Sequence, residues 1–242
     1  MSLPFDKTLI IVPTYNESDN IEKLVAAIVA VSPQISILVV DDNSPDGTAK
    51  LVESLRIKFR NLNLLSRSGK LGLGTAYVAG FRWALEKKFE YIFEMDCDFS
   101  HDPTDIVRLL EAAQQNDLAI GSRYIEGIRV INWAVSRLLL SLFASFYTRL
   151  ITRMPLKDPT GGYKCFKSTA LKKIDLNRIM FKGYAFQIEL NFKLWAQGLK
   201  IKEVPIIFYE RREGKSKMNR SLVVEACFGV IRLKLRQIFG RL

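Results

Sequence analysis

The sequence is poor in cysteine and histidine and has no long hydrophobic run. Its three cysteines, Cys97, Cys165 and Cys227, form no C-x-x-C pair and leave an odd count. That pattern excludes a disulfide framework. With no secretory leader pattern among the first residues, it sets the expectation of a reducing, cytoplasmic setting. The one histidine, His101, reads as a loop residue rather than a catalytic base. No segment reaches the roughly 18 to 20 apolar residues needed to span a bilayer. The nearest, Leu138 to Thr148, is bracketed by Arg137 and Arg149 and is too short to cross. It suits either a core helix or a helix lying in a membrane interface. Acidic residues are also in deficit, 25 against 36 basic ones, for a net charge of +11. Such an excess points to an anionic partner: phosphates, nucleic acid or an acidic membrane surface.

What is present is a 242-residue chain, 48% hydrophobic, long enough for one large α/β domain or two smaller ones. Buried-strand patterns occur at Thr8–Val12, Ile35–Val40, Asn63–Leu65, Tyr91–Met95 and Leu118–Gly121. Helical spacing separates them at Asn20–Val31, Thr48–Phe59, from Gly74 to Lys88, and at Pro103–Gln114. The alternation predicts a mainly parallel sheet covered on both faces, with ligands bound beyond the carboxyl ends of its strands. Three strand ends are polar or acidic: Tyr15/Glu17, Asp41/Asp42 and Asp96/Asp98. A solvated turn explains any one of them, but three in succession point to a shared site.

Asp96 and Asp98 are separated by one residue, and extended positions i and i+2 face the same side. Two aligned carboxylates repel and need a cation to sit together. Mg²⁺ or Mn²⁺ suits hard oxygen ligands, and Mg²⁺ typically takes one or two carboxylates plus substrate phosphates. Asp102-Pro103 reads as the cap and first position of the next helix. Gly69, Gly72 and Gly74 imitate a phosphate loop, but their spacing matches no nucleotide fingerprint and they do not follow the first strand. They read as a turn into a helix that passes close to a bound nucleotide.

Beyond Ser122 the pattern changes. A polar stretch leads into a long amphipathic helix from Arg137 to about Arg153, then a turn-rich loop, Lys157–Tyr163, and a short strand, Lys164–Lys167. Tyr184–Gln197 reads as a helix and Lys200–Tyr209 as a strand, in which Pro205 argues against a central position. A basic loop, Arg211–Lys217, precedes a final helix, Ser221–Leu242. Val224, Phe228, Ile231, Leu235, Ile238, Phe239 and Leu242 fall on one side of that helix, flanked by Arg232, Lys234, Arg236 and Arg241. Such a helix can dock on the domain or lie on an anionic membrane with its basic residues reaching the headgroups.

The motifs Pro13-Thr14-Tyr15-Asn16-Glu17, Asp41-Asp42-Asn43-Ser44-Pro45-Asp46-Gly47-Thr48, Gly72-Leu73-Gly74-Thr75-Ala76-Tyr77, Met95-Asp96-Cys97-Asp98-Phe99-Ser100-His101 and Gly121-Ser122-Arg123-Tyr124 occur in this order. Gly183–Glu189, Glu203-Val204-Pro205 and Gly214-Lys215-Ser216-Lys217 follow. Any one is weak, but the ordered set resembles the family 2 glycosyltransferases, specifically the dolichol-phosphate (polyprenol-phosphate) mannosyltransferases. The resemblance implies an α/β chain of the GT-A nucleotide-diphospho-sugar transferase fold. Residues 1–217 would form the catalytic domain and 218–242 an amphipathic C-terminal helix at a membrane interface. It implies inverting transfer of a hexose, with GDP-mannose the leading donor, to a polyprenyl or dolichyl phosphate, assisted by Mg²⁺ or Mn²⁺. Pro13, Tyr15, Glu17, Val40 and Asp42 would hold the nucleoside. Asp96 and Asp98 would hold the metal and donor diphosphate, with Cys97 beside them. Arg123, Arg137, Arg211 and Lys217 would bind donor and acceptor phosphates. Two positions depart from the pattern: Ser100 stands where archaeal-type relatives carry a metal-binding Gln, and Lys215 where relatives often carry Glu. Ser100 is a poorer ligand, acting directly or through water.

The chemistry of the residues agrees with this. Loss of a nucleoside diphosphate builds negative charge, which a divalent metal offsets. A phosphate monoester is already largely dianionic at neutral pH, so it needs positioning by arginines more than a base. The alternative within enzymes is a polyprenyl-phosphate glucosyl- or aminosugar transferase using another nucleotide sugar. A processive polysaccharide synthase lacks support because no Q-x-x-R-W motif is present. A nucleic-acid-binding protein would account for the charge, but the basic residues are not interleaved with aromatics on a reading element, so no nucleic-acid partner is expected. The expected location is the cytoplasmic face of a membrane, held peripherally, with a separate membrane-anchoring subunit as a candidate partner.

Overall fold

Short β-branched runs make the centre of the sheet. The computed structural model describes residues 3–210 and 220–240. Strands β1 (Thr8–Thr14), β2 (Ser36–Asp41) and β3 (Leu62–Ser66) alternate with helices α1 (Ile21–Val31) and α2 (Thr48–Leu55). Helix α3 (Leu73–Glu86), β4 (Tyr91–Glu94), α4 (Asp105–Gln115) and β5 (Leu118–Ser122) complete the first half. The second half contains β6 (Val130–Ile131), α5 (Val135–Thr152), β7 (Lys164–Lys167), α6 (Ser168–Leu171) and α7 (Ala185–Ala196). It ends with β8 (Ile201–Pro205), β9 (Phe208–Tyr209) and α8 (Arg220–Ile238).

Seven strands form one sheet in the order β3-β2-β1-β4-β7-β5-β8. All pairings are parallel except the two made by β7. The loop before β7 lies at the carboxyl ends of the other strands, where the Gly121 amide donates to Tyr163 O at 2.8 Å. Entering from that end, β7 must run back antiparallel. Successive β1 residues face opposite sides: Leu9 and Ile11 join one core cluster with Tyr77 and Phe186, and Ile10 and Val12 join the other with Leu24 and Leu109. β1 pairs with β2 on one edge and β4 on the other. The order reverses there, so the switch point that receives ligands in such sheets lies between the Tyr15 and Asp96 loops.

Several expectations shift in detail. α4 begins at Asp105, not Pro103. The Asp102 carboxylate instead accepts from the Thr104 amide at 2.9 Å and Oγ1 at 2.8 Å, closing a separate turn. The Lys200–Tyr209 segment divides at Ile206 and Ile207. β8 is an edge strand, where Pro205 costs no ladder bond, and β9 pairs with β6 in a two-stranded ribbon. α8 docks through Val230 and Leu233, both buried, with Gly229 against the Phe181 ring. The apolar face that suited either docking or a membrane surface (Phe228, Ile231, Leu235, Ile238, Phe239) is exposed. The side chain of Val224, and Arg241 and Leu242, lie outside the described residues. α5, read as either a core helix or an interfacial one, also turns its large apolar residues outward. Its buried residues are Ser145, Thr148 and Thr152, while Val135, Leu139, Phe143, Phe146 and Leu150 are 57–71% exposed. No described helix is long and apolar enough to cross a membrane.

Candidate active site

β4 ends at Glu94, and the chain turns through Asp96–His101 at the switch point. Phe99 has φ 58°, a left-handed conformation unusual for a bulky residue. It folds the loop back on itself. The Ser100 amide donates to Asp98 Oδ1 and the Asp96 amide to His101 Nδ1, each at 3.1 Å. The Tyr77 hydroxyl donates to Asp96 Oδ1 at 3.3 Å from α3. His101 is buried and stacks on Tyr163 with ring centroids 4.7 Å apart. Burial lowers its pKa, outweighing the upward pull of Asp96 and Asp98, so the ring is neutral at physiological pH. With Nδ1 accepting, the ring proton sits on Nε2. His101 therefore braces the Asp96 backbone, a role beyond that of a simple loop residue.

Asp96, Asp98 and Ser100 line one cavity. Ser100 Oγ is buried and has no hydrogen-bond partner among the described residues, an orphan oxygen in the same lining as two carboxylates. Among the described residues no group of three or more His, Cys, Asp or Glu side chains could cage a metal. The donor set fits a hard cation that draws its remaining ligands from substrate oxygens and water. Cys97 lies between the two aspartates in sequence but packs in the core.

A buried charge pair lies beneath this loop. Glu94 faces Lys164 across the β4–β7 ladder, and their charged atoms are 3.7 Å apart. Lys164 Nζ also donates to the side-chain oxygen of Gln187 on α7. Burial raises the Glu94 pKa to about 7 and lowers that of Lys164 to about 8.

At the other end of the switch point, the Asp41 carboxylate accepts from Thr14 Oγ1 at 2.8 Å and the Ser44 amide at 2.9 Å, so it builds the loop. Asp42 pairs with Arg67 at 2.6 Å and accepts from the Leu71 amide at 3.1 Å. Tyr15 and Glu17 stand half-buried beside Pro13, and Lys70 Nζ lies 4.3 Å from the Tyr15 ring centroid. Val40 does not belong with them. Its side chain is fully buried in the core beside Leu38, because the sheet is covered on both faces. Gly74, in the first turn of α3, serves packing: a Cβ there would lie 2.6 Å from Phe181 O.

Two of the expected phosphate-binding residues, Arg123 and Arg137, line the same cavity. Arg123 is already committed to Asp158, with Nε and Nη2 each 2.6 Å from a carboxylate oxygen and Nη2 2.7 Å from Thr160 Oγ1. Nη1 takes no part in those bonds. Arg137 lies 4.1 Å from the Trp133 ring centroid and pairs with Glu210. The cavity, of about 200 Å³, then continues between α5 and α7 along Leu140, Phe143, Ala144, Tyr147 and Ile188 to Val230 of α8. Arg211 and Lys217 lie outside the described residues.

Sequence reasoning missed Arg67, Trp133, Asp158, Lys164 and Glu210. Arg67 directly follows a strand at its carboxyl end, a signal that was readable. The other four reach the site through contacts between segments far apart in the chain.

With this geometry in place, comparison with known proteins becomes informative. The family described as glycosyl transferase family 2 matches residues 9–175. Polyprenol monophosphomannose synthase of Mycolicibacterium smegmatis is 44% identical over 241 residues, covering 99% of this chain and 90% of that protein. Undecaprenyl-phosphate mannosyltransferase of Micrococcus luteus is 42% identical over 226 residues, covering 93% of each. The chain belongs to glycosyltransferase family 2, and it is a glycosyltransferase with the GT-A fold. Solved structures with that fold include glucosyl-3-phosphoglycerate synthase of Mycobacterium tuberculosis with Mn²⁺, UDP and phosphoglyceric acid (TM-score 0.66, 17% identity, 95% of this chain and 78% of that one). A mannosyltransferase of Pyrobaculum calidifontis with GDP-Man and Mn²⁺ is also similar (TM-score 0.60, 14% identity, 97% of this chain and 74% of that one).

Proposed function

We propose that this chain transfers mannose from GDP-mannose to a polyprenyl phosphate, inverting the sugar carbon. One observation carries the reading. A single cavity contains the Asp96/Asp98 pair at one end, Arg123 and Arg137 at its side, and an apolar groove leading outward. A nucleotide sugar suits the first feature, a phosphate the second and a polyprenyl chain the third. The names of the two curated relatives support both the sugar and the class of acceptor.

In this reading Tyr15, Glu17 and the Asp42–Arg67 pair frame the nucleoside, with Pro13 at the strand end. Asp96 and Asp98, with Ser100 beside them, would hold Mg²⁺ or Mn²⁺. When bound, the ion offsets the charge that develops on the departing diphosphate. Arg137 and the uncommitted nitrogen of Arg123 orient the acceptor phosphate. An oxygen of that phosphate forms the new bond to the sugar carbon. The old carbon–oxygen bond breaks on the opposite face, and its electron pair leaves with the nucleoside diphosphate. The attacking oxygen is already ionised, so no base is required, consistent with His101 bracing the loop.

The acceptor lies in a bilayer, so the chain must approach a membrane from its surface. The exposed apolar residues of α5 and α8 belong to two helices that line the groove and are interleaved with Arg149, Arg232 and Lys234. We assign this platform to peripheral contact with the cytoplasmic leaflet. The test is a screen of nucleotide sugars against citronellyl phosphate with Mg²⁺ or Mn²⁺, read by mass spectrometry. The expected product is mannosyl-phospho-citronellol from GDP-mannose. Product from a different nucleotide sugar alone would overturn the donor, and no product from any would overturn the reaction.

A further inference from the structure

In this structure a carboxylate occupies Arg137. Glu210 Oε1 accepts a hydrogen bond from Arg137 Nη1, with the Trp133 ring against the guanidinium at 4.1 Å. The ribbon β6–β9 holds Glu210 in place. Its amide donates to Ile131 O at 3.0 Å, and the Phe208 amide donates to Arg129 O at 2.9 Å. The carboxylate is therefore fixed at the cavity rim, half-covered, with its side chain 32% exposed against 21% for Arg137.

We propose that Glu210 is a specificity-determining residue: a built-in monoanion on Arg137 that a phosphomonoester displaces and a phosphodiester does not. The inference rests on the reading that the acceptor phosphate binds at Arg137. A phosphomonoester has a second pKa near 6 and carries close to two negative charges at neutral pH. A phosphodiester headgroup carries one. Replacing Glu210 by a phosphodiester exchanges one monoanion for another and leaves a carboxylate stranded beside a new anion. Replacing it by a dianion adds a further charge facing Arg137 and the open nitrogen of Arg123. A protein working at a membrane meets phosphodiester lipids in large excess over its acceptor, and a resident repulsive charge is an economical way to reject them.

The experiment uses the full chain, with citronellyl phosphate as the monoester and dihexanoylphosphatidylglycerol as a soluble phosphodiester. Binding is followed by tryptophan fluorescence and transfer by kinetics. Glu210→Gln should lower the acceptor KM about fivefold, the scale of a partly exposed ion pair, and should make the phosphodiester a competitive inhibitor. Glu210→Asp, which keeps the charge, should behave as wild type, and Glu210→Ala should follow Glu210→Gln if the amide perturbs folding. An unchanged or raised acceptor KM in the neutral variants, or equal inhibition of wild type and variants by the phosphodiester, would overturn the proposal. The underlying reading fails separately, if Arg137→Ala keeps the wild-type acceptor KM.

Discussion

Arg123 and Asp158 are joined by two parallel hydrogen bonds of 2.6 Å, with Asp158 fully buried and Arg123 nearly so. Burial alone would raise the Asp158 pKa, but the charge and hydrogen bonds of Arg123 outweigh it and hold the carboxyl below its ordinary value. Arg123 is therefore a structural member of the site, in addition to the phosphate contact proposed for it. Asp158→Asn leaves its guanidinium without a counter-ion and should cost about 3–5 kcal/mol in chemical denaturation. The sign of the pH effect follows from the lowered pKa. The pair's contribution is complete above the unfolded aspartate value and is lost as pH falls through the folded one. The stability gap between wild type and Asp158→Asn should thus be full at neutral pH and shrink under strong acid. A gap that widened below pH 4 would contradict this assignment.

Asp96→Asn should keep the fold and lose transfer by about a hundredfold or more, because a neutral amide is a poor ligand for a hard cation. Calorimetry should show donor binding that no longer responds to Mn²⁺. Wild-type activity in the variant under excess chelator would eliminate the two-carboxylate site.

Gly74→Ala should destabilise by about 1–3 kcal/mol through overpacking, since the added carbon would meet Phe181 O at 2.6 Å and the Phe186 ring at 2.9 Å. Donor affinity in the folded fraction should be nearly unchanged. Loss of donor affinity without loss of stability would instead make this turn a nucleotide contact.

The sheet was legible because alternation of strand and helix has a strong local pattern, and the Asp96/Asp98 pair because two carboxylates stand at fixed spacing after a strand. Asp158 and Glu210 were harder to see, since each acquires meaning only from a partner on another element. Val40 came to the nucleoside set through the family resemblance, and a motif match does not reveal that its side chain points into the core. In α8 the apolar side was correctly read from the periodicity. Which way that side faces stayed open, because two small clusters, Val230/Leu233 inward and Phe228/Ile231/Leu235 outward, make the helix apolar on both sides.

That two-sidedness gives a clean membrane test. Truncating the chain at Val230 would remove buried Val230 and Leu233, confusing loss of fold with loss of attachment. Replacing Phe228, Ile231 and Leu235 together by serine spares the packed side. The triple variant should melt within a few degrees of wild type yet sediment poorly with anionic liposomes, with transfer to long-chain acceptor reduced more than transfer to citronellyl phosphate. Leu233→Ala should do the reverse, costing about 2–5 kcal/mol while leaving liposome binding of the folded protein intact. Undiminished sedimentation of the triple variant would remove α8 from the platform.

The central claim is that one cavity joins donor and acceptor, and a crystal structure with GDP, Mn²⁺ and citronellyl phosphate tests it most directly. The account predicts electron density for the metal against Asp96 and Asp98, the phosphate within hydrogen-bonding distance of Arg137, and the hydrocarbon between α5 and α7. An acceptor phosphate bound away from Arg137, or a metal held by residues other than the two aspartates, would contradict it.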